Sequence, residues 1–447
     1  MEKQMNIQPR LAAGIRDYLP EDMIPRQKML DAIRRTFELY GFVPLDTPGL
    51  ELEEVLTGGD PAFNKQIFRA GLGDLEDADL ALRFDLTVPL ARVIAQYGSQ
   101  LEKPFKRYQM GKVWRGEKPQ AGRFREFVQF DADIVGSSRP ESDAEIIALM
   151  GATMEALGFE NYLVRVNNRK ILNGLASFIG FDASKSPDVL RIIDKMDKIE
   201  WAGVKAELEK ELGFGTKEFD ALRKFLDLME GEQEGLLEKV RALMSNSPIA
   251  LEGVAELEEI SKSVIALGVP REKWVIDLSV ARGLGYYTGP VFETILTDLP
   301  SIGSVFGGGR YDDLVERFMA SSIPAVGASV GVDRIFAAME KLGIVKKEKT
   351  VSKVLVLNFD PDCSAVGQSV LSSLRRAGVP SEIYLGRELT FKAQLAYAVK
   401  QEFPVVIIIG SREKEAGVVQ VKDMNARKQD SVAFSDVPDA VKRIVDL

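Results

Sequence analysis

The sequence contains no histidine among its 447 residues. Hydrolases that activate a serine or cysteine nucleophile with an imidazole are therefore excluded, because the group that accepts the proton is missing. Zinc sites built on histidine and the two-histidine iron triad are excluded for the same reason. The stretch Gly327-Ala-Ser-Val-Gly331 has the spacing of a hydrolase nucleophile elbow, but without histidine it cannot complete a catalytic triad.

Cysteine and long apolar runs are also scarce. The single cysteine, Cys363, excludes an internal disulfide and a cysteine-rich zinc site, and is typical of a reducing cytosol. The longest strand-like apolar run, Val405–Ile409, is far too short to span a bilayer, and the polar start, Met1–Arg10, lacks the apolar stretch of a signal peptide. We expect a cytoplasmic protein that does not enter a membrane.

Positive charge is in deficit, with 58 basic against 67 acidic side chains and a net charge of −9. Nucleic acid binding is therefore not indicated by bulk charge, and a surface for it must be a local patch. The P-loop sequence G-x-x-x-x-G-K-[ST] and the dinucleotide signature G-x-G-x-x-G are both missing from the sequence. A nucleotide site in this chain must have another architecture.

The first 345 residues predict an α+β region interrupted by helices. Apolar spacing predicts a helix over Arg26–Tyr40, and period-two alternation predicts a strand over Arg125–Val135. Further strands are predicted at Leu80–Asp85, Phe105–Trp114, Trp274–Leu278, Gly289–Leu296 and Ala325–Val330, and an edge strand is predicted at Phe42–Pro48. Helices are predicted at Ser142–Leu157, in the segment that ends at Met319, and in the segment that begins at Asp333. Charged helical segments fill Ser184–Leu267, and we expect Gly307–Gly309 to form a turn.

The C-terminal part has a different pattern. After the lysine-rich stretch Lys346–Lys349, strands and helices alternate as β-α-β-α-β, which predicts a separate small α/β domain. The expected domains are 1–180 and 271–345 for a core in two parts, 181–270 for a helical insertion, and 346–447 for the C-terminal domain.

Three stretches combine arginine with glycine or aromatic residues. In Trp114–Asp133, a predicted hairpin offers guanidinium groups for phosphate and a ring for a base. The residues expected on one face of it are Arg123, Arg125, Phe127, Gln129, Asp131 and Asp133. A solvated hairpin with a charged outer face explains this pattern equally well. The other stretches are Ala281–Gly289 and the pair Gly307–Asp312 and Gly327–Arg334, the last placing an arginine in the first turn of a helix.

Together these stretches resemble the class II aminoacyl-tRNA synthetases, and among them the histidyl-tRNA synthetase family. The first motif of the class is similar to Arg16–Pro20 and the residues that follow up to Pro48. The second is similar to Arg115–Asp133, and the third to Gly327–Arg334. Arg282–Thr288 and Gly307–Asp312 resemble stretches peculiar to the histidyl enzymes, and the C-terminal segment resembles an anticodon-binding domain.

The resemblance implies a fold and a reaction. The fold is α+β, with a class II catalytic core on an antiparallel sheet, a helical insertion and a C-terminal α/β anticodon-binding domain. The reaction joins histidine and ATP into histidyl-adenylate and then transfers the histidyl group to tRNA, with Mg²⁺ accompanying ATP and no metal ligands assigned to the protein. The first motif implies a homodimer.

The resemblance also implies site residues. Arg115 and Arg282 would be catalytic, by neutralising charge around the α-phosphate. The residues implied for ATP are Arg115, Glu117, Arg123, Phe127 and Arg334. Those implied for histidine are Asp85, Thr87, Gln129, Asp133, Arg282, Tyr286 and Tyr287.

Two alternatives stay open at this point. One is a non-catalytic, histidine-sensing regulatory paralogue of ATP phosphoribosyltransferase, which shares the synthetase core but lacks the anticodon-binding domain and typically loses catalytic arginines. The other is an arginine-rich nucleotide-binding scaffold, which explains the hairpin but not the ordered series of motifs. Histidine-dependent pyrophosphate exchange distinguishes all three.

Overall fold

The computed structural model describes residues 7–59, 67–71, 79–118, 124–193, 195–228, 235–280 and 286–445. They form a large unit, which comprises the described residues up to Arg16 and from Met29 to Ile344, and a small unit, which comprises Asp17–Lys28 and the described residues from Val345 onward. No helix in these ranges is long and apolar enough to cross a membrane.

The large unit is built on one broad sheet. Its strands in chain order are β1 (Val43–Pro44), β2 (Leu50–Leu52), β3 (Phe68–Ala70), β4 (Leu80–Leu82), β5 (Phe105–Trp114), β6 (Glu126–Val135), β7 (Tyr162–Asn168), β8 (Trp274–Ile276), β9 (Pro290–Leu296), β10 (Phe306–Arg310) and β11 (Ala325–Gly331). Within the described residues, eight of them pair in the order β1-β5-β6-β11-β10-β9-β7-β8, and β2, β4 and β3 form a small separate sheet. Apart from the parallel pairs β1–β5 and β7–β8, the broad sheet is antiparallel, as predicted.

Helices cover the sheet and fill the middle of the chain. They are α1 (Pro20–Leu39, which begins in the small unit), α2 (Glu53–Thr57), α3 (Thr87–Tyr97), α4 (Pro140–Ala156), α5 (Arg169–Asn173), α6 (Leu175–Ile179), α7 (Ser186–Ile193), α8 (Met196–Leu212), α9 (Thr216–Asp227), α10 (Leu236–Leu243), α11 (Pro248–Ala266) and α12 (Val332–Lys341). The predicted helical character of the stretch from Ser184 to Leu267 is confirmed by α7 to α11.

The alternation on β6 explains how one sheet has both a core and a polar face. Phe130, Ala132 and Ile134 are buried on one side, and the Phe130 ring contacts Phe37 of α1 edge to face, with ring centroids 5.1 Å apart. Since successive side chains of a strand point to opposite faces, Gln129 and the acids that follow it share the other side.

Two predictions in this unit are wrong. Gly307–Gly309 lie inside strand β10 rather than in a turn. A Cβ atom on Gly308 would lie 2.0 Å from the Gly327 carbonyl oxygen, so glycine serves close strand contact here rather than chain reversal. The helix expected up to Met319 is reduced to the single 3₁₀ turn Val315–Arg317.

The small unit has a five-stranded sheet among its described residues. Its strands are β12 (Val354–Val356), β13 (Ser381–Ile383), β14 (Val405–Ile408), β15 (Val418–Asp423) and β16 (Lys428–Ala433), and its helices are α13 (Ser364–Arg376), α14 (Phe391–Lys400), α15 (Ser411–Ala416) and α16 (Val437–Val445). The order is β13-β12-β14-β15-β16, with the first three strands parallel. The predicted β-α-β-α-β alternation is confirmed.

Candidate active site

A cavity of about 390 Å³ lies over the polar face of the broad sheet. Every residue implied for the site that falls within the described ranges lines it: Asp85, Thr87, Arg115, Glu117, Phe127, Gln129, Asp133, Tyr286, Tyr287 and Arg334. Arg123 and Arg282 lie outside the described residues. Residues more than 240 positions apart in the chain (Asp85 and Arg334) thus meet in one cavity.

The register of β6 against β11 determines the shape of the floor. Gly327 pairs with Asp133, and Ser329 pairs with Asp131. A Cβ atom on Gly327 would lie 1.9 Å from an Asp133 carboxylate oxygen, so only glycine leaves room for this acid. The sequence Gly327-Ala-Ser-Val-Gly331 therefore shapes a ligand site, and it is not a nucleophile elbow.

Three buried carboxyl groups line the same cavity. Asp85, Asp131 and Asp133 are only 1%, 2% and 3% exposed. Burial raises the pKa of Asp85 to about 6 and that of Asp131 to about 7, and it also raises the pKa of Asp133. The physical cause is the loss of hydration, which penalises the charged form. The cavity therefore favours a ligand that brings positive charge or hydrogen-bond donors.

Asp133 is held by two partners. The fully buried Arg107 guanidinium lies 2.8 Å from its Oδ2, and the Tyr311 hydroxyl donates to its Oδ1. Arg107 also lowers the pKa of Asp131, although burial outweighs that effect. This arrangement fixes the Asp133 side chain in one position at the cavity wall.

Two acceptors in the cavity have neither a hydrogen-bond partner nor an ion-pair partner among the described residues. Asp85 accepts from the Val88 backbone N–H at 3.1 Å through Oδ1, while its buried Oδ2 is unpartnered. Gln129 donates through Nε2 to the Ser329 hydroxyl at 2.7 Å, while its buried Oε1 is unpartnered. Because a buried acceptor without a donor costs about 1–3 kcal/mol, these two oxygens indicate a ligand that donates hydrogen bonds.

The cationic part of the cavity is organised around Arg115 and Arg334. The Nε of Arg115 donates to the Phe84 carbonyl at 3.0 Å, and its guanidinium carbon lies 5.1 Å from the centre of the Phe127 ring. Arg334 is in the first turn of α12, as predicted, and donates to the Ser304 carbonyl. Guanidinium groups fixed in this way suit an anionic ligand such as a phosphate chain.

Aromatic rings enclose the end of the cavity that contains Asp133. Tyr286 stacks edge to face on Tyr287, with centroids 5.0 Å apart, and on Tyr311 at 5.9 Å. Burial raises the pKa values of Tyr286 and Tyr311 well above the usual range, so both hydroxyls remain protonated donors. This end offers hydroxyl and carboxylate groups to a planar polar ligand.

Sequence reasoning missed four residues of the site. Arg107, Asp131, Tyr311 and Ser329 were not among the implied ligands, yet each pairs with or contacts a residue that was. Asp131, Tyr311 and Ser329 occur inside the arginine-containing stretches singled out above, and the alternation of the predicted hairpin placed Asp131 on the ligand face without giving it a role. Arg310, in contrast, has a structural role, since it forms a buried ion pair with Asp143 at 2.5 Å.

In the described part of the chain, no group of three or more carboxylate or thiol side chains is arranged so that it could hold a metal ion. The cavity has two parts: an acidic, aromatic part around Asp85, Asp131 and Asp133, and a cationic part around Arg115 and Arg334. This arrangement can bind a small ammonium-bearing acid beside a polyanion and bring their charged groups together.

Two family models match the chain. The model for histidyl-tRNA synthetase matches residues 14–335, and that for an anticodon-binding domain matches residues 353–444. The histidine--tRNA ligase of Wolinella succinogenes is 43% identical over 426 residues, 95% of this chain and 96% of that protein. The histidine--tRNA ligase of Rhodopirellula baltica is 40% identical and covers 97% of this chain and 98% of its own length.

Solved structures agree with this fold. The crystal structure of histidyl-tRNA synthetase from Nostoc sp. PCC 7120 superposes with a TM-score of 0.87 at 34% identity, covering 98% of this chain and 99% of that one. A structure described as an ATP phosphoribosyltransferase regulatory subunit/histidyl-tRNA synthetase from Bacillus halodurans superposes with a TM-score of 0.72 at 23% identity, covering 89% of this chain and 97% of its own. The second likeness concerns the fold alone.

Proposed function

Since the chain belongs to the histidyl-tRNA synthetase family, we propose that its cavity activates L-histidine with ATP and that the chain transfers the histidyl group to tRNA. In the first step a carboxylate oxygen of histidine attacks the α-phosphorus of ATP, and the bond to pyrophosphate breaks. In the second step a ribose hydroxyl of the tRNA attacks the carbonyl carbon of the adenylate, and AMP leaves.

The observation that carries this proposal is the division of one cavity into acidic and cationic parts. The unpartnered oxygens of Asp85 and Gln129 suit the α-ammonium of an amino acid, with Thr87 beside them in the cavity. Arg115 and Arg334 suit the phosphates. A zwitterion bound between these parts has its ammonium group paired with the acids and its carboxylate directed toward the cations.

The first step requires no general base. The histidine carboxylate is already ionised at neutral pH, so the protein has only to position it in line with the α-phosphate and neutralise charge. We assign the α-phosphate to Arg115 and Arg282, and the β- and γ-phosphates to Arg334 and Arg123. This mechanism explains why an active site without any histidine suffices.

Adenine and magnesium complete the nucleotide site. We assign the adenine amino group to Glu117 and the ring to Phe127, which both line the cavity. Mg²⁺ prefers oxygen ligands and readily keeps phosphate oxygens and water among them. ATP would bring Mg²⁺ with it, and the metal would supply further charge neutralisation at the phosphates beside Arg115 and Arg334.

Recognition of the imidazole is assigned to Tyr287 and Asp133, with Tyr286 stacked edge to face on Tyr287. A site that offers a carboxylate and a hydroxyl to the two ring nitrogens rejects apolar side chains, because its own buried polar groups would be left without partners. This discrimination explains why a separate editing domain is unnecessary.

We propose that the chain forms a homodimer and that it acts in the cytoplasm. Several large apolar side chains near the edge strand β1 face solvent in the single chain: Leu39, Val43, Leu50, Leu52 and Met110. Contact with a second copy would bury them, as the first class II motif implies. Sedimentation analysis tests this assignment, and a monomer at working concentration contradicts it.

The decisive experiment is ATP–pyrophosphate exchange with each of the twenty amino acids. We expect exchange with histidine alone, and a loss of about a hundredfold or more in Arg115→Ala. The matched control is Arg139→Ala, because the Arg139 side chain is exposed, forms an ion pair with Glu141 and is not among the residues that line the cavity.

A chain that binds histidine but never exchanges pyrophosphate would contradict the proposal and favour the regulatory paralogue. The comparisons favour the enzyme, because relatives that are at least 40% identical over nearly the whole chain are named histidine--tRNA ligases.

A further inference from the structure

We propose that Asp131 and Ser329 act as positioning residues that fix the Gln129 side-chain amide, so that its carbonyl oxygen accepts a hydrogen bond from the α-ammonium of histidine. This inference rests on the proposed function, which places that ammonium beside Gln129. Neither Asp131 nor Ser329 has a role in the two-step mechanism described above.

The strand register brings the three side chains together. Ser329 of β11 pairs with Asp131 of β6, and Gln129 lies two residues earlier on β6. All three therefore project from the same face of the sheet, and all three line the cavity. Asp131 and Gln129 are 2% and 8% exposed, so water does not compete freely for their hydrogen bonds.

The hydroxyl of Ser329 determines the direction of the hydrogen bonds. A serine hydroxyl has a single proton, and Ser329 hydrogen-bonds the Asp131 carboxylate, which can only accept when ionised. The Ser329 oxygen must then accept from Gln129, and the Gln129 Nε2 does lie 2.7 Å from it. The same Nε2 is 3.5 Å from Asp131 Oδ1.

The opposite orientation of the amide is disfavoured. Rotation by 180° would place the Gln129 carbonyl oxygen against the Ser329 oxygen and the Asp131 carboxylate, so that acceptors would face acceptors. In the observed orientation, Oε1 is buried and unpartnered instead. Arg107, whose guanidinium is 2.8 Å from Asp133, does not hydrogen-bond this oxygen, and neither does any other described residue. In the proposal the ligand supplies the missing donor.

The test compares two ligands by isothermal titration calorimetry at pH 8, where Asp131 is mostly ionised. Histidine carries the α-ammonium, whereas imidazolepropionic acid lacks it but keeps the ring and the carboxylate. The dissociation constant of imidazolepropionic acid divided by that of histidine measures the contribution of the ammonium to binding. In Ser329→Ala we expect this ratio to fall by about tenfold, while imidazolepropionic acid binds within about threefold of wild type.

Two substitutions of Asp131 separate orientation from charge. Asp131→Leu removes the acceptor and frees the Ser329 hydroxyl to turn toward Gln129, so the ratio falls as in Ser329→Ala. Asp131→Asn removes the charge but keeps one carbonyl oxygen that can accept from the Ser329 hydroxyl, so the ratio falls far less. Equal loss in the leucine and asparagine variants would mean that Asp131 acts by attracting the ammonium, and would overturn the inference.

Two further results distinguish this inference from the proposed function. If the wild-type chain binds histidine and the ratio is unchanged in Ser329→Ala, the inference is overturned while the proposed function stands. If both ligands weaken equally in Ser329→Ala, the role is merely structural and the inference is again overturned. If wild type binds no histidine, the proposed function fails, and the inference fails with it.

Discussion

The two sheets of this protein differ in what their strands bury. In the small unit, β12 and β14 bury valine, leucine and isoleucine on both faces, and the residues that pack against them are mainly apolar. In the large unit, the polar face of β6 buries Gln129, Asp131 and Asp133. Burial of ionisable groups lowers stability, so the difference shows which sheet is shaped by ligand binding.

The largest expected effect is that of a methyl group on the polar face. Gly327→Ala would place a Cβ atom 1.9 Å from Asp133 Oδ1 and so displace that carboxylate. We expect histidine-dependent pyrophosphate exchange to fall by about a hundredfold or more, because displacement of a positioned group by 1 Å can have an effect of that size. Exchange close to wild type would show that Asp133 does not have to occupy this position.

A second prediction concerns the apolar sheet. Leu374 of α13 is fully buried in the core of the small unit. Leu374→Ala should destabilise that unit by about 2–5 kcal/mol, because it leaves a cavity, whereas Leu374→Met should cost less than about 1.5 kcal/mol. Hydrogen exchange of the small unit measures the difference.

The same variant also separates the two catalytic steps. We expect Leu374→Ala to reduce aminoacylation of tRNA more than pyrophosphate exchange, because the cavity for adenylate formation is lined by residues of the large unit. Equal loss in both assays would contradict a division of labour between the two sheets.

A third prediction uses pH. Burial raises the pKa of Asp131 to about 7 in the folded chain, against about 4 for an ordinary aspartate. Its stabilising contribution is therefore fully present below about pH 4 and is lost as pH rises toward 7. We expect Asp131→Asn to be more stable than wild type by about 1–3 kcal/mol at pH 8 and nearly equal to it at pH 4.

Tryptophan fluorescence during urea unfolding measures this difference, because all three tryptophans, Trp114, Trp201 and Trp274, belong to the large unit. Asp360 of the small unit is the contrasting control. Hydrogen bonds from Ser411, Cys363 and the Asp362 backbone lower its pKa, so its stabilising contribution is present above about pH 4 and disappears in acid. Asp360→Asn should therefore destabilise the small unit at pH 8, the opposite direction to Asp131→Asn, and hydrogen exchange of the small unit measures this change.

Local patterns predicted much of this structure. The strand over Phe105–Trp114 and the helix over Ser142–Leu157, observed as Pro140–Ala156, were predictable because apolar spacing and the flanking Pro and Gly residues are local signals. The three glycines of β10 were misread as a turn because glycine marks both chain reversal and close strand contact, and only the neighbouring strand distinguishes them.

The composition of the site was harder to predict than its location. The implied ligands fall in stretches with recognisable sequence patterns, and those described do converge. Tyr311 and Ser329 act on Asp133 and Gln129, which are 178 and 200 residues away in the chain. Such pairs are created by strand register, which composition and periodicity do not specify across a long insertion.

The smallest effect is expected from the same substitution, glycine to alanine, in the small unit. Gly367 lies inside α13, where a Cβ atom would contact Val356 Cγ1 at 3.5 Å and Ile383 Cδ1 at 3.7 Å, which are ordinary van der Waals distances. Because alanine is the better helix former, Gly367→Ala should stabilise the small unit by about 0.5–1 kcal/mol. Hydrogen exchange of the small unit measures this gain, and pyrophosphate exchange should stay at the wild-type rate. Destabilisation would show that α13 packs too tightly on the apolar sheet to accept a methyl group. The two sheets would then not differ in this respect.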